Sequence, residues 1–334
     1  MKLGFDSYSI RGLKWKAPRL IEYAAQLKLD TLQIGSLDDY ESLDAGYLQS
    51  RRDQAARAGI VIDQGTGCIC PTSSAWNARN GSPDEYLMKG IAVAKAVGSG
   101  GLRVFISNPD NRRTGPPIEA HAESTIAVLR RCRRQILDSG VKVAIENHGD
   151  FTAREMRALI EAAGKDYVGV CLDTGNPMSV MEDPMLTVEV LGPYAISSHF
   201  RDSVVYEHPR GAAFQWVATG DGCVNLDKVC ARFQETSPGA PVHFEVITGR
   251  PPSVLPYLEQ DFWKPYSTLP SADFARFVRL VKQGRPFSGS MMIAGTGKQP
   301  PAYEAALLEQ QRLDLERSLD YARKNYGLGE KSAP

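Results

Sequence analysis

Four residues in the second half of this 334-residue chain are of metal-ligand type, and each closes a short apolar run. Glu146 ends "KVAIE", Asp173 ends "VGVCLD", His199 ends "AISSH" and Glu245 ends "PVHFE". Taken singly, each is a polar residue at the end of a strand. Taken together they recur at intervals of 27, 26 and 46 residues, close to one strand-helix unit each with the last unit enlarged. Carboxylates and an imidazole at successive strand ends converge if the strands are parallel neighbours. Three like charges brought to one place are costly unless they share a cation. Three oxygen donors and one imidazole suit Mn²⁺ best, with Mg²⁺, Co²⁺ or Fe²⁺ as alternatives, since zinc sites generally use more nitrogen or sulfur. A cation so held acts as a Lewis acid toward a carbonyl oxygen, so that a base of moderate strength can take the neighbouring proton.

Three residues are candidates for that base: His148, Glu146 and Glu245. His148 follows Glu146 by two, so on an extended strand end it faces the same pocket, and an imidazole can accept a proton near pH 7. Its alternative role is to orient a ligand. Arg201 and Asp202 directly follow His199 and either bind substrate oxygens or form a rim ion pair. Asn176 either hydrogen-bonds a ligand or caps the next helix, and Trp216 and Trp76 are candidates to wall a sugar. His121, His208 and His243 have no placement that favours a ligand.

The elements that must position these residues are visible as β-type runs at Lys2–Phe5, Thr31–Ile34, Val61–Gln64, Leu102–Ile106, Lys142–Glu146, Val168–Leu172, Ala195–Ser198 and Val242–Glu245. Helical patterns lie between them, near Ala17–Leu27, Tyr47–Ala58, Pro83–Val97, Ile118–Ser139, Thr152–Ala163, Pro184–Leu191 and Asn225–Gln234. Thr152 followed by Glu155 has the spacing of a capping box, and Gly140, Gly164 and Gly192 fall where helices should stop. Eight alternating units predict a parallel sheet closed into a (β/α)₈ TIM barrel over residues 1–248. An open doubly wound sheet is the runner-up, but "GFDSYSIRG" is not the glycine-rich phosphate loop such a sheet places after its first strand. Residues 249–301, rich in Pro, Gly and aromatics and without strand-helix rhythm, read as an insertion or lid over the C-terminal face. Residues 302–334 read as a closing helix, Ala302–Tyr326, and a tail. "GTGK" at 295–298 fails as a phosphate loop, because Met292 stands where the motif needs Gly and Gln299 where it needs Ser or Thr.

Composition narrows the function classes. Lys plus Arg and Asp plus Glu number 39 each, which gives no overall field favouring nucleic acid or an anionic membrane. The basic run Arg130, Arg131, Arg133 and Arg134 sits opposite Ile126, Leu129, Ile136 and Leu137, as on a solvated outer helix. No apolar segment reaches signal-peptide or membrane-span length, and the six cysteines include no C-x-x-C pair. A cytoplasmic protein with reduced thiols is the expectation.

The Glu–Asp–His–Glu order on the last four runs resembles the xylose-isomerase-like TIM barrels, the sugar phosphate isomerase and epimerase family. The resemblance implies that Glu146, Asp173, His199 and Glu245 hold one divalent ion, and that adjacent oxygens of a keto sugar meet it while a proton moves through an enediolate. The 3-epimerases of the family carry a glutamate and an arginine several residues after the seventh-run histidine. Here the stretch reads "HFRDSVVYEHPRG", closer to the His-x-Lys-Asp form of dehydratases and other lyases, with Arg201 in the lysine's place. "ENH" after the fifth run resembles the keto-sugar lyases, including 3-oxo-glycoside eliminating enzymes and keto-acid-sugar decarboxylases. The resemblance therefore implies a metal-dependent carbohydrate lyase with Arg201, Asn176 and Trp216 at the substrate. The alternatives are a ketose isomerase or 3-epimerase on the same metal site, and a metal-binding barrel without catalysis. The implied partner is a small carbohydrate, with a homo-oligomer or small accessory subunit as further possibilities. An abasic-site endonuclease would need three metals and a basic face, which five histidines and zero net charge do not supply.

Overall fold

The apolar runs pair side by side because both of their faces are covered, which is the situation that favours parallel strands rich in Val, Ile and Leu. A computed structural model describes residues 1–329. In it β1 (Leu3–Asp6), β2 (Thr31–Ile34), β3 (Val61–Cys68), β4 (Gly101–Phe105), β5 (Lys142–Glu146), β6 (Val168–Asp173) and β7 (Ala195–Phe200) are parallel neighbours in chain order. The chain then departs into an antiparallel hairpin, β8 (Asp202–His208) and β9 (Gly211–Val217), before returning as β10 (Val242–Phe244). That hairpin is the enlargement of the last interval. β10 pairs in parallel with both β7 and β1, so the sheet closes and has no edge. The fold is a (β/α)₈ barrel.

The helices α1 (Ala17–Gln26), α2 (Ala45–Arg57), α3 (Pro83–Val97), α4 (Pro109–Thr114), α5 (Ile118–Ser139), α6 (Ala153–Ala163), α7 (Pro184–Leu191) and α8 (Leu226–Thr236) lie between the strands. All but the short α4, which follows β4, match the helical patterns of the sequence. Thr152 and Glu155 form the reciprocal capping box at the start of α6, with Glu155 N donating to Thr152 Oγ1 at 3.3 Å and Thr152 N to Glu155 Oε2 at 2.8 Å. On α5 the arginines 130, 131, 133 and 134 are exposed while Val128, Leu129, Cys132 and Ile136 are buried.

Alternation along the strands divides the molecule into two environments. Residues of one parity face the helices: Phe5 meets Tyr23 of α1 edge-on, and Phe200 meets Phe233 of α8. Residues of the other parity face the barrel axis, and these are largely polar. Asp6, Gln33, Asp63, Arg103, Glu146 and His243 are among them, joined to one another or to the strands by hydrogen bonds and close charge contacts.

Beyond β10 the structure is more regular than its sequence. β11 (Ser253–Leu255) pairs antiparallel with β9, a 3₁₀ turn spans Gln260–Tyr266, and α9 (Ser271–Gln283) follows. The helical spacing of Phe274, Phe277 and Val281 was obscured by the surrounding Pro and aromatic residues. Together with the hairpin this segment builds a second apolar cluster around Met178, Val205, Phe214, Leu255, Tyr266 and Phe277. The closing helix α10 (Pro301–Tyr326) buries Leu315, Leu319 and Ala322 in the main core and lies against the 3₁₀ turn Ser7–Leu13. Residues 330–334 of the expected tail lie outside the described residues. No helix among the described residues is long and apolar enough to cross a membrane.

Candidate metal centre

Strand register brings the four donors together. Asp173 lies level with His199 across β6 and β7, and His199 lies level with His243, two residues before Glu245. Glu146 lies level with Cys171, two residues before Asp173. Because the offsets are even, all four side chains keep the same parity and point to the axis. Each offers one ligand atom, and these atoms all lie within 4.8 Å of one another, fully buried.

Asp173 and His199 are each held by one atom and leave the other facing the centre, whereas Glu146 is held by both of its oxygens. Asp173 Oδ1 accepts the backbone N–H groups of Gly175 and Asn176, at 2.7 and 2.6 Å. Glu146 Oε2 accepts Arg103 Nε at 2.7 Å, and its Oε1 accepts Asn176 Nδ2 at 3.0 Å. Gln33 sets the state of the imidazole. Its Nε2 donates to Asp63 and Ser197, so its Oε1 is left to accept from His199 Nε2, at 2.5 Å. The lone pair of His199 is therefore on Nδ1, 3.4 Å from oxygens of Glu146 and Glu245 and 3.8 Å from Asp173 Oδ2.

The residues fit a cation on two counts. Asp173 Oδ2, His199 Nδ1 and Glu245 Oε2 are buried and belong to this one cluster; the Arg201 guanidinium meets the two carboxylate oxygens, and His199 Nδ1 has no hydrogen-bond partner. A buried lone pair left so is expensive unless a positive group meets it, and one guanidinium does not balance three carboxylates. The local field also favours positive charge. Burial disfavours an imidazolium, yet Cys171 and Glu146 beside His199 lift its pKa well above the ordinary value. Burial likewise opposes the Glu146 carboxylate, but Arg103 and His199 hold it well below the usual range. Asp173 is pushed up by burial, with Arg201 pulling the other way.

Arg201, expected at the substrate, lies over the donors. Its Nε is 2.9 Å from Asp173 Oδ2, its Nη2 meets Glu245, and its Nη1 donates to Asn176 Oδ1 at 3.3 Å. Asp202 does not pair with it. That carboxylate accepts the N–H groups of Gly220 and Gly222, and burial pushes its pKa up to about 6. Asn176 hydrogen-bonds two donors rather than capping a helix. Trp216 donates to Gly175 O at 3.2 Å and carries the Arg201 guanidinium 5.1 Å from its ring. A Cβ at Gly175 would lie 2.7 Å from Arg201 Cβ, so only glycine permits this approach. His148 Nδ1 donates to Ser107 O at 2.8 Å, and its ring stacks on Phe105 at 4.6 Å.

Above the centre opens a cavity of about 860 Å³, a size typical of small-molecule sites. Its lining includes His148, Asn176, Arg201, Trp216 and Glu245, and from the segment after β10 also Arg250, Pro251, Ser253 and Val254. Trp76 is not among its lining residues and instead packs edge-on against Tyr86. Sequence reasoning missed Gln33 and Arg103, which position the donors. It also missed Asn147, whose side chain exchanges two hydrogen bonds with the Asp173 backbone at 2.8 and 2.9 Å.

Closed barrel and axial donor cluster define the class, and the chain belongs to the xylose isomerase-like TIM barrel family, whose pattern matches residues 21–265. Among its relatives is a 3-oxo-isoapionate decarboxylase of Pectobacterium atrosepticum, 20% identical over 183 residues, 55% of this chain and 59% of that one. The chain spans just over half the length of the curated relatives it matches. Similar solved structures include a D-psicose 3-epimerase studied in the presence of D-fructose, with TM-score 0.61, 16% identity, and 98% of this chain and 100% of the other covered. Another is the IOLI protein with a binding zinc atom, with TM-score 0.58, 14% identity, and the same coverage. These structural likenesses establish the fold. The family's members are sugar-modifying enzymes.

Proposed function

We propose that this protein is a divalent-metal-dependent lyase acting on a keto sugar or keto-sugar derivative. Glu146, Asp173, His199 and Glu245 would hold the ion, for which Mn²⁺ suits the donor set best. When bound, the ion supplies Lewis acidity that stabilises developing negative charge on a substrate oxygen. The observation that carries the reading is the tautomer of His148. With Nδ1–H committed to the Ser107 carbonyl, Nε2 is the acceptor, on a ring that lines the cavity two residues from a donor. As Nε2 takes a proton from the carbon beside the carbonyl, the Ser107 carbonyl stabilises the imidazolium that forms. Stacking on Phe105 keeps the ring in place. Arg201 and Asn176 then bind substrate oxygens, Trp216 walls the sugar, and the segment 249–301 shapes the mouth.

His148→Gln should retain metal and lose a factor of about 10² to 10⁴ in turnover. Exchange of the substrate proton beside the carbonyl with deuterated solvent should fall with it. A ketose isomerase or 3-epimerase is the second reading, favoured by Glu245, a carboxylate that lines the same cavity. Deuterium exchange persisting at near wild-type rate in the metal-saturated variant would assign the base to a glutamate and favour that second reading.

A further inference from the structure

The charges around the cavity can be set against one another. At the buried centre, four carboxylates (Asp6, Glu146, Asp173 and Glu245) face the guanidinium groups of Arg103 and Arg201. A divalent ion bound as proposed above brings this centre to balance. Nearer the opening, the lining residues Arg11, Lys14, Arg113 and Arg250 outnumber Asp39 and Asp110 by two. Two of these four cations, Arg11 and Arg250, lie against aromatic rings of the lining, those of Tyr8 and Trp216.

Neither has a carboxylate partner among the described residues. Arg11 Nη1 donates to Tyr8 O at 3.0 Å, and its guanidinium lies 4.5 Å from the centroid of the Tyr8 ring. The guanidinium of Arg250 lies 5.8 Å from the ring of Trp216, the ring that also carries Arg201. The three arginines feel one another: burial lowers the pKa of Arg11, and the charges of Arg250 and Arg201 lower it further. Like charges gathered at a partly desolvated cavity cost free energy, which Tyr8 offsets only in part for Arg11. Guanidinium forks match the oxygens of carboxylate and phosphate groups, with two parallel N–H···O bonds per pair.

We infer that Arg11 and Arg250 form an anion subsite at the cavity mouth, so that the substrate is a sugar derivative carrying a carboxylate or phosphate group. The inference rests on the metal reading. Without the ion, the surplus carboxylates of the centre would themselves be the counter-charge to these two arginines. The subsite is separate from the reacting end of the substrate, and it selects an acidic sugar over a neutral one.

Calorimetric titration of the Mn²⁺-loaded full chain with D-glucuronate, D-glucose 6-phosphate and D-glucose tests it. At least one anion should bind tenfold or more tightly than glucose, and whichever binds tighter identifies the group as carboxylate or phosphate. Arg11→Gln and Arg250→Gln should each reduce that preference about tenfold, the worth of a hydrogen bond to a charged group, with metal content unchanged. Arg250 is exposed, so its replacement leaves the fold intact even where that of Arg11 perturbs it. Anions binding no more tightly than glucose, or not binding at all, in protein with full metal content overturns the subsite alone. So does a preference that survives both substitutions. Wild-type protein that takes up no Mn²⁺ refutes the metal reading instead.

Discussion

The two halves of the barrel serve the centre differently. β5, β6, β7 and β10 each deliver one donor, whereas β1 to β4 deliver groups that fix the donors' state: Asp6, Gln33, Asp63 and Arg103. One half provides lone pairs. The other decides which lone pairs are exposed, by orienting an imidazole and by neutralising a carboxylate that is already anchored. Gln33 is the clearest case, since it touches no carboxylate of the cluster and still determines that His199 presents Nδ1 to it.

That division is sharpest where it can be broken. Removing a donor has the largest expected effect: Asp173→Asn and Glu245→Gln should each lose bound metal and activity together. Full metal occupancy by elemental analysis in both variants would remove these residues from the ligand set. Removing the charge partner comes next. Arg103→Met leaves the buried Glu146 carboxylate without its closest guanidinium, which costs up to about 3–5 kcal/mol of stability by denaturant unfolding. Adding Glu146→Gln to that variant should recover part of the loss, and a single variant as stable as wild type would show that Arg103 does not hold Glu146. Gln33→Leu should be milder, keeping the fold but weakening metal affinity about 10- to 100-fold through the freed imidazole. Unchanged affinity by metal titration would deny the supporting half its role.

The control lies outside the axis and reads stability alone, with no expected effect on metal binding. Glu182 is buried, and both of its oxygens accept the Ala153 N–H at the start of α6, at 2.9 and 3.0 Å. Burial pushes its carboxyl up to about 8 from the usual carboxylate value. The folded state thus binds this proton more tightly than the unfolded chain. The stability it contributes is complete below the unfolded value and is lost as pH rises through about 8. Between those limits the slope approaches about 1.4 kcal/mol per pH unit, and Glu182→Gln should flatten the stability profile over pH 5–8. A profile of equal slope in the variant would mean that another group carries the dependence.

The donors were legible in the sequence because each ends a run of apolar residues at a repeat of about one strand-helix unit, and such patterns are local. Their supports were not. In "TLQI" and "GLRVF" the polar residue interrupts a strand instead of ending it, and nothing nearby shows that Gln33 meets a histidine 166 positions away or that Arg103 meets a glutamate 43 away. The enlarged last interval was visible as a length, whereas its content, a hairpin that pairs with β11 and carries Trp216 to the mouth, was not. The spacing of α9 was present but lay within a Pro- and aromatic-rich stretch that read as irregular.

By itself, then, the amino-acid order determined the eight strand-forming runs, most of the helix limits and the strand-end positions of the four candidate donors, because periodicity, caps and strand ends depend on neighbours a few residues apart. The tertiary structure alone decided that the sheet closes, how far each strand is offset from the next, and which side chains therefore share a level on the axis. It also decided that Arg201 turns toward the donors and Asp202 away from them, and that Arg11 and Arg250, far apart in the chain, face one cavity. Those outcomes depend on register accumulated around the whole ring, which no local pattern encodes.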